Sequence, residues 1–114
     1  MANPSKRKGT DWEMRVLALL HDHDIPAHRN PPAGNLDVGD LRLVDRDGDP
    51  VVVECKATKA IDLAGGMNEL AVEVARADAA YGVLVVKRRS HPTGRAYAVL
   101  ELADFAALVA PEEA

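Results

Sequence analysis

The sequence is poor in cysteine, in aromatic residues and in long apolar segments, and each shortage excludes a class of protein. With one cysteine among 114 residues, the chain can form neither an internal disulfide nor a cysteine-rich zinc site. No apolar segment approaches the roughly 20 residues of a membrane-spanning helix, so we expect no membrane partner. A chain that does not depend on disulfides suits a reducing compartment, and we expect a cytoplasmic protein.

The few aromatic residues, one Trp, two Tyr and one Phe, mean that Val, Leu and Ala must supply most of the core. The length fits one domain, which we place at residues 10–110. We expect a flexible basic arm before it (residues 1–9) and an acidic tail after it (residues 111–114). Because a monomer of this size buries only about two-thirds of its unfolded surface, a homodimer interface would add stability.

The basic residues are clustered, although the net charge of −4 argues against a nucleic-acid partner. Taken alone, the clusters are better explained as solvated ends of helices and strands. Beside a site that binds phosphate, contact with a nucleic-acid backbone becomes the better explanation. The candidate phosphate-contacting residues are Lys6, Arg7, Lys8, Lys59, Lys87, Arg88 and Arg89.

Hydrophobic periodicity and turn residues predict alternating helices and strands. A capping box at Thr10 and Glu13 opens the first helix, and residues 25–39, rich in proline, form an irregular loop. The pattern indicates an α/β fold with a central mixed sheet flanked by helices. We predict helices at 10–23, 67–80 and 102–109 and strands at 41–44, 51–55, 82–86 and 96–100.

One apolar strand ends in charged residues. Val51 to Val53 should be buried, yet Glu54 and Lys56 follow directly and, because side chains alternate along a strand, share one face. Such charges are costly unless a partner or a metal ion compensates them. An exposed salt bridge at the strand end is the alternative. With Asp40 fourteen residues upstream, we favour a metal site.

The turn between the two central strands decides whether Asp40 can join Glu54. A two-residue turn at Asp47-Gly48 would place Asp40 opposite Cys55, on the other face from Glu54. A shared site therefore requires a loop of odd length or a bulge. We interpret the acidic segment Asp45–Asp49 as this turn and not as a calcium loop, since its glycine is not at the sixth position.

Asp40, Glu54 and Lys56 have the side chains that phosphodiester hydrolysis requires. Mg²⁺ prefers oxygen ligands, commonly one or two carboxylates together with water and phosphate oxygens. An ion held there activates water and neutralises developing charge, and Lys56 would position that water or stabilise the charge. Glu13 shares the apolar face of its helix with Val16, which makes it a further candidate. Its position in the capping box explains it equally well.

Three segments, in this order, resemble the PD-(D/E)xK nuclease superfamily, and most closely its small Holliday-junction resolvases of archaeal and phage type. They are Gly9-x-x-x-Glu13, Gly39-Asp40-Leu41 and Glu54-Cys55-Lys56. The resemblance extends from about residue 8 to residue 100. No proline precedes Asp40, and Asp37 is an alternative ligand.

The resemblance implies a restriction-endonuclease-like fold and a metal-dependent endodeoxyribonuclease that acts as a homodimer on four-way DNA junctions in recombination and repair. It implies Glu13, Asp40 and Glu54 as ligands of Mg²⁺ or Mn²⁺ and Lys56 as the catalytic lysine. For a phage protein, the host cytoplasm would be the location. The alternatives are a nuclease of other specificity (restriction, repair, flap or RNA cleavage) and a non-catalytic nucleic-acid-binding module.

Overall fold

The computed structural model describes residues 4–31 and 36–112, and of residues 4–8 it describes the backbone alone. Within these residues the chain forms a five-stranded mixed sheet and three α-helices, as the α/β prediction requires. The elements are α1 (Pro4–Asp22), β1 (His28–Arg29), β2 (Leu41–Val44), β3 (Pro50–Lys56), α2 (Leu63–Ala77), β4 (Tyr81–Val86), β5 (Tyr97–Val99) and α3 (Leu102–Val109).

The strands lie side by side in the order in which they occur along the chain. β2 and β3 form an antiparallel hairpin, β4 pairs with β3 in parallel, and β1 and β5 are antiparallel edge strands. The parallel pair requires a crossover, which α2 provides. Because β3 and β4 run in the same direction, their carboxyl ends meet at one end of the sheet.

Alternate side chains of β3 pack on opposite faces of the sheet. On one face Val53 packs with Leu41 and with Trp12 and Val16 from α1. On the other face Val52 packs with Leu84 and with Leu70 from α2. The sheet is therefore covered by a helix on each side, and the two faces have separate hydrophobic clusters.

Two helices begin earlier than predicted. Residues 4–9, expected to be a flexible arm, belong to α1, while residues 1–3 of that arm and residues 113–114 of the predicted tail lie outside the described residues. α2 begins at Leu63 and not at residue 67, because the Asp62 side chain caps it by accepting a hydrogen bond from the Gly65 N–H (3.0 Å).

The glycine pair in the first turn of α2 permits close packing and does not interrupt the helix. A Cβ at Gly66 would lie 3.3 Å from a methyl group of Leu84 on β4, so a larger residue there would require Leu84 to shift by a few tenths of an ångström. The predicted loop at residues 25–39 also contains a short strand, β1, which pairs with β2. Among the described residues, no helix combines the length and apolarity that crossing a bilayer would require.

Candidate metal centre

The hairpin places Asp40 beside Glu54. Leu41 pairs with Val53 and Val44 with Pro50, so residues 45–49 form a loop of odd length, as predicted, and this register continues to Asp40 opposite Glu54. The backbone N–H of Asp40 donates to the Val53 carbonyl oxygen (3.1 Å). Asp40 Oδ2 accepts from the Cys55 N–H (2.8 Å). Asp40 therefore contacts β3 on both sides of Glu54.

The three acidic residues predicted as ligands lie together. Asp40 lies next to both Glu54 and Glu13, since each of them perturbs the pKa of its carboxyl group. Among the described residues, the acids at this end of the sheet that bring one oxygen each within 4.8 Å of one another are Asp37, Glu54 and Glu73. Glu13 comes from α1, where it is held by Arg29 of β1, whose Nε and Nη2 donate to Glu13 Oε2 at 3.0 and 2.9 Å. Asp40 stands just before β2 begins, where residues of α1 and β3 are both its neighbours.

A fourth acidic residue, Glu73 of α2, was missed in the sequence. Its side chain is only 3% exposed and Glu54 is 6% exposed, although both carry carboxyl groups. One carboxylate oxygen from each of Glu54, Glu73 and Asp37 lies within 4.8 Å of the others. Helical spacing would have identified Glu73, because it lies between Leu70 and Val74 on the apolar face of α2, as Glu13 does on α1.

The pKa values of these carboxyl groups are raised, mainly by burial. Burial and then contact with Glu73 raise the pKa of Glu54 from 4.5 to about 8. Burial and the neighbouring carboxyl groups likewise raise the pKa of Asp40 and of Glu13 to about 7, the latter opposed by Arg29. The pKa of Glu73 is also raised. Close carboxylates retain protons in this way when no cation balances their charge.

Lys56, the predicted catalytic lysine, lies two residues after Glu54 on β3. Its ammonium group lies 3.5 Å from Oε2 of Glu69 on α2, and its side chain is about one-third exposed. Burial alone would lower the pKa of Lys56, but Glu54 and Glu69 together raise it above its usual value. Lys56 is therefore protonated near neutral pH and can donate hydrogen bonds, whereas it cannot accept a proton.

The basic residues that follow β3 and β4 lie at the same end of the sheet as Glu54 and Lys56. The Lys87 N–H donates to the Lys56 carbonyl oxygen (2.9 Å), and the Arg88 guanidinium lies 5.3 Å from the centre of the Tyr97 ring. The side chains of Lys6, Arg7 and Lys8 lie outside the described residues. A cavity of about 260 Å³ is lined by Ala57, Thr58, Lys59, Lys87, Arg88, Arg89 and Tyr97.

The acidic turn at Asp45–Asp49 is a second group of carboxylates, at the opposite end of the hairpin. Asp45 Oδ1 accepts from the N–H groups of Asp47 and Asp49, both at 2.9 Å, and its Oδ2 accepts from the Tyr81 hydroxyl (3.0 Å). The Asp45 carboxylate is thus used in closing the turn and anchoring it to β4. This agrees with its interpretation as a turn.

The chain matches no protein-family model and is similar to none of the curated proteins. What the site can bind follows from its donors. Carboxylate oxygens are the ligands that Mg²⁺ and Mn²⁺ prefer, and here they converge from α1, β3 and α2 and from the residue before β2. Carboxylates packed this closely are stabilised by a cation that balances their charge. The residues therefore fit a hard divalent cation.

Proposed function

We propose that this chain is a metal-dependent endonuclease of the PD-(D/E)xK superfamily, with a restriction-endonuclease-like fold, that cleaves DNA at four-way junctions. The observation that carries this proposal is the hairpin register, which continues to Asp40 opposite Glu54 and lets Asp40 accept from the Cys55 N–H. Lys56 lies two residues beyond Glu54 on the same face. Each of these residues also occupies its position in the superfamily pattern.

In the proposed mechanism, Glu13, Asp40 and Glu54 would hold Mg²⁺ or Mn²⁺. The ion, when bound, supplies Lewis acidity that lowers the pKa of water and neutralises charge on the phosphate. Arg29 fixes the Glu13 carboxylate through two hydrogen bonds, and the Cys55 N–H fixes Asp40. These contacts hold the ligands in place before the substrate arrives, which reduces the reorganisation that catalysis needs.

Lys56 acts on the substrate in this mechanism as a charged donor. Because its pKa is raised by Glu54 and Glu69 after opposing burial, it remains an ammonium that can orient the attacking water or stabilise negative charge on the phosphate oxygens. Water oxygen bonds to phosphorus as the bond to the leaving oxygen breaks. The attacking water loses one proton to solvent, and the leaving oxygen takes one proton from solvent. The products are a phosphomonoester and a hydroxyl.

The DNA backbone is proposed to lie along the end of the sheet that carries Lys59, Lys87, Arg88 and Arg89. These side chains line one cavity beside the carboxyl ends of β3 and β4. Cationic side chains there would contact phosphates without reading bases, so the branched shape of the DNA would supply specificity. The basic residues at 6–8 would extend this contact.

A homodimer is proposed because cutting both strands of a symmetric junction requires two sites related by a two-fold axis. α3 offers a surface for such a contact. Its Leu102 and Val109 side chains are 80% and 62% exposed, and Phe105 is half exposed. An apolar surface of this kind is stabilised when a partner covers it.

A cleavage panel tests the function. Purified protein with Mg²⁺ or Mn²⁺ is incubated with labelled four-way junction, flap, duplex and single-stranded DNA and with RNA. We expect paired cuts in the junction, which disappear with EDTA and in Asp40→Asn while junction binding persists. Asp47→Asn, in the exposed turn at the far end of the hairpin, is the matched control and should cut normally.

The panel also separates the alternatives. Preferential cutting of flaps, duplex or RNA would retain the nuclease and reject junction specificity. If the wild-type protein binds these nucleic acids and leaves all of them intact with either metal ion, the chain is a binding module and the proposed activity is wrong.

A further inference from the structure

The buried carboxylate of Glu73 has one oxygen without a partner. Glu73 is 3% exposed, and among the described residues its Oε1 has no hydrogen-bond partner. Leaving a buried carboxylate oxygen unsatisfied is costly, and more so when the group is charged. Arg76, one turn further along α2, does not compensate it, since its Nη1 donates instead to the Asp37 carbonyl oxygen (3.3 Å).

The oxygen atoms near Glu73 have the arrangement of a small cation site. One oxygen each from Asp37, Glu54 and Glu73 lies within 4.8 Å of the other two. Ligands on opposite sides of an octahedral Mg²⁺ ion are about 4.2 Å apart, and around the larger Ca²⁺ ion about 4.8 Å. The three carboxylates therefore need to move by less than about 1 Å to bind a divalent ion together.

Asp37 is held towards this position by its backbone. Its Oδ1 accepts from the Gly39 N–H (2.9 Å), and Arg76 binds its carbonyl oxygen. Gly39 has a positive φ of 95°, and a Cβ there would collide with a methyl group of Val52. The chain turn that presents Asp37 to α2 thus depends on glycine at position 39.

We propose that Asp37, Glu54 and Glu73 form a second divalent-cation site, adjacent to the site of Glu13, Asp40 and Glu54, with Glu54 shared between the two ions. Asp37 and Asp40 are then not rivals for one position, because each serves a different ion. Two ions about 3.5–4 Å apart can stabilise both the attacking and the leaving oxygen of a phosphodiester. That catalytic consequence rests on the proposed function, whereas the binding of the second ion does not.

The stoichiometry of Mn²⁺ binding tests the second site without measuring cleavage. The full chain is titrated with Mn²⁺, and free ion is followed by electron paramagnetic resonance. We expect two ions per chain for the wild type, and one for Glu73→Gln, for Asp37→Asn and for Asp40→Asn. The matched control is Glu112→Gln, at an exposed position after α3, which should retain two ions.

Combined substitutions show whether the two positions are separate. Glu73→Gln with Asp40→Asn should lose both ions, whereas Glu73→Gln with Asp37→Asn should keep one. Thermal unfolding without metal checks each fold, and the amide replacements preserve side-chain shape. If Glu73→Gln does not fold but Asp37→Asn does, the number of Mn²⁺ ions bound by Asp37→Asn decides whether the second site exists.

The outcomes separate this inference from the proposed nuclease. One ion in the wild type, lost in Asp40→Asn and kept in Glu73→Gln, overturns the second site and leaves the nuclease proposal standing. Two ions retained in both Glu73→Gln and Asp37→Asn also overturn it. If the wild type binds no Mn²⁺, the second site and the metal-dependent nuclease are both wrong. Two ions with no cleavage of any substrate support the site and reject the nuclease.

Discussion

Replacing Glu54 with Gln should stabilise the metal-free protein while removing metal binding. Glu54 is 6% exposed and has a pKa of about 8 in the folded protein, against an ordinary value of 4.5. Near neutral pH, folding must therefore either keep a proton on Glu54 or bury its charge. A glutamine keeps the shape of the side chain and removes this cost, at the loss of a ligand oxygen.

The size of the effect follows from the two pKa values. Each pH unit between the ordinary pKa and pH 7 lowers the free energy of unfolding of the wild type by about 1.4 kcal/mol. The upper limit for the difference between Glu54→Gln and the wild type is therefore about 3 kcal/mol. Glu54 shares its environment with Asp40 and Glu73, so the proton is distributed among the three carboxyl groups. We therefore expect Glu54→Gln to raise the free energy of unfolding by about 1–2 kcal/mol. For a chain of this length that is a rise in Tm of about 5 °C.

The pH dependence has a definite sign. Because the folded pKa of Glu54 is raised, the folded state binds more protons than the unfolded state between about pH 4.5 and 8, and its stability falls as the pH rises through that window. The difference between Glu54→Gln and wild type should therefore be small at about pH 4.5 and largest at about pH 8.

Urea unfolding in EDTA, followed by circular dichroism across this pH range, measures the difference directly. Glu112→Gln, the same substitution at an exposed position near the end of the chain, is the control and should change stability little. Added Mn²⁺ should reverse the order, since only the wild type gains stability from bound ion. A Glu54→Gln protein that is less stable than wild type at about pH 8 in EDTA would refute the reasoning.

Three further perturbations address DNA contact, assembly and packing. Replacing Arg88 and Arg89 with Ala should weaken junction binding and reduce the slope of log affinity against log salt concentration by about one for each lost phosphate contact. Fluorescence anisotropy at several salt concentrations measures both quantities. Arg46→Ala, in the turn at the far end of the hairpin, should change neither. Phe105→Asp should convert a dimer into a monomer in sedimentation analysis, and an unchanged mass would exclude α3 from the interface. Gly82→Ala should destabilise the fold by about 1–3 kcal/mol, because its Cβ would lie 2.7–2.8 Å from side-chain atoms of α2; unaltered urea unfolding would contradict the tight packing of α2 on β4.

The hairpin could be predicted from local sequence, but its register could be stated only as a condition. Alternating Leu41 and Leu43, the turn residues and the apolar run before Glu54 defined both strands. Several turn geometries are compatible with Asp45–Asp49, and only the structure shows that Asp45 closes a five-residue loop by accepting from the N–H groups of Asp47 and Asp49. The prediction that the loop has an odd number of residues was correct. Its exact length depends on the hydrogen bonds of Asp45, which the turn propensities of single residues do not specify.

Elements that depend on distant packing were predicted less well. The two-residue strand β1 has no local pattern and exists because His28 and Arg29 pair with β2. The start of α2 was misjudged because Gly65-Gly66 normally interrupts helices, whereas here the Asp62 side chain caps the helix and Gly66 packs closely on Leu84. Glu73 was overlooked although the test applied to Glu13, an acid on an apolar helical face, would have found it.

The five-residue turn at Asp45–Asp49 has a consequence for how the length of this chain can change. The turn lies about 16 Å along β2 from Asp40. Nevertheless, inserting or deleting one residue there would move Asp40 from Glu54 to a neighbour that faces the other side of the sheet. A change of two residues would keep the same face. Only insertions or deletions of an even number of residues in this exposed turn would therefore keep Asp40 and Glu54 on the same face. A loop far from the acidic ligands thus determines whether those ligands can lie together.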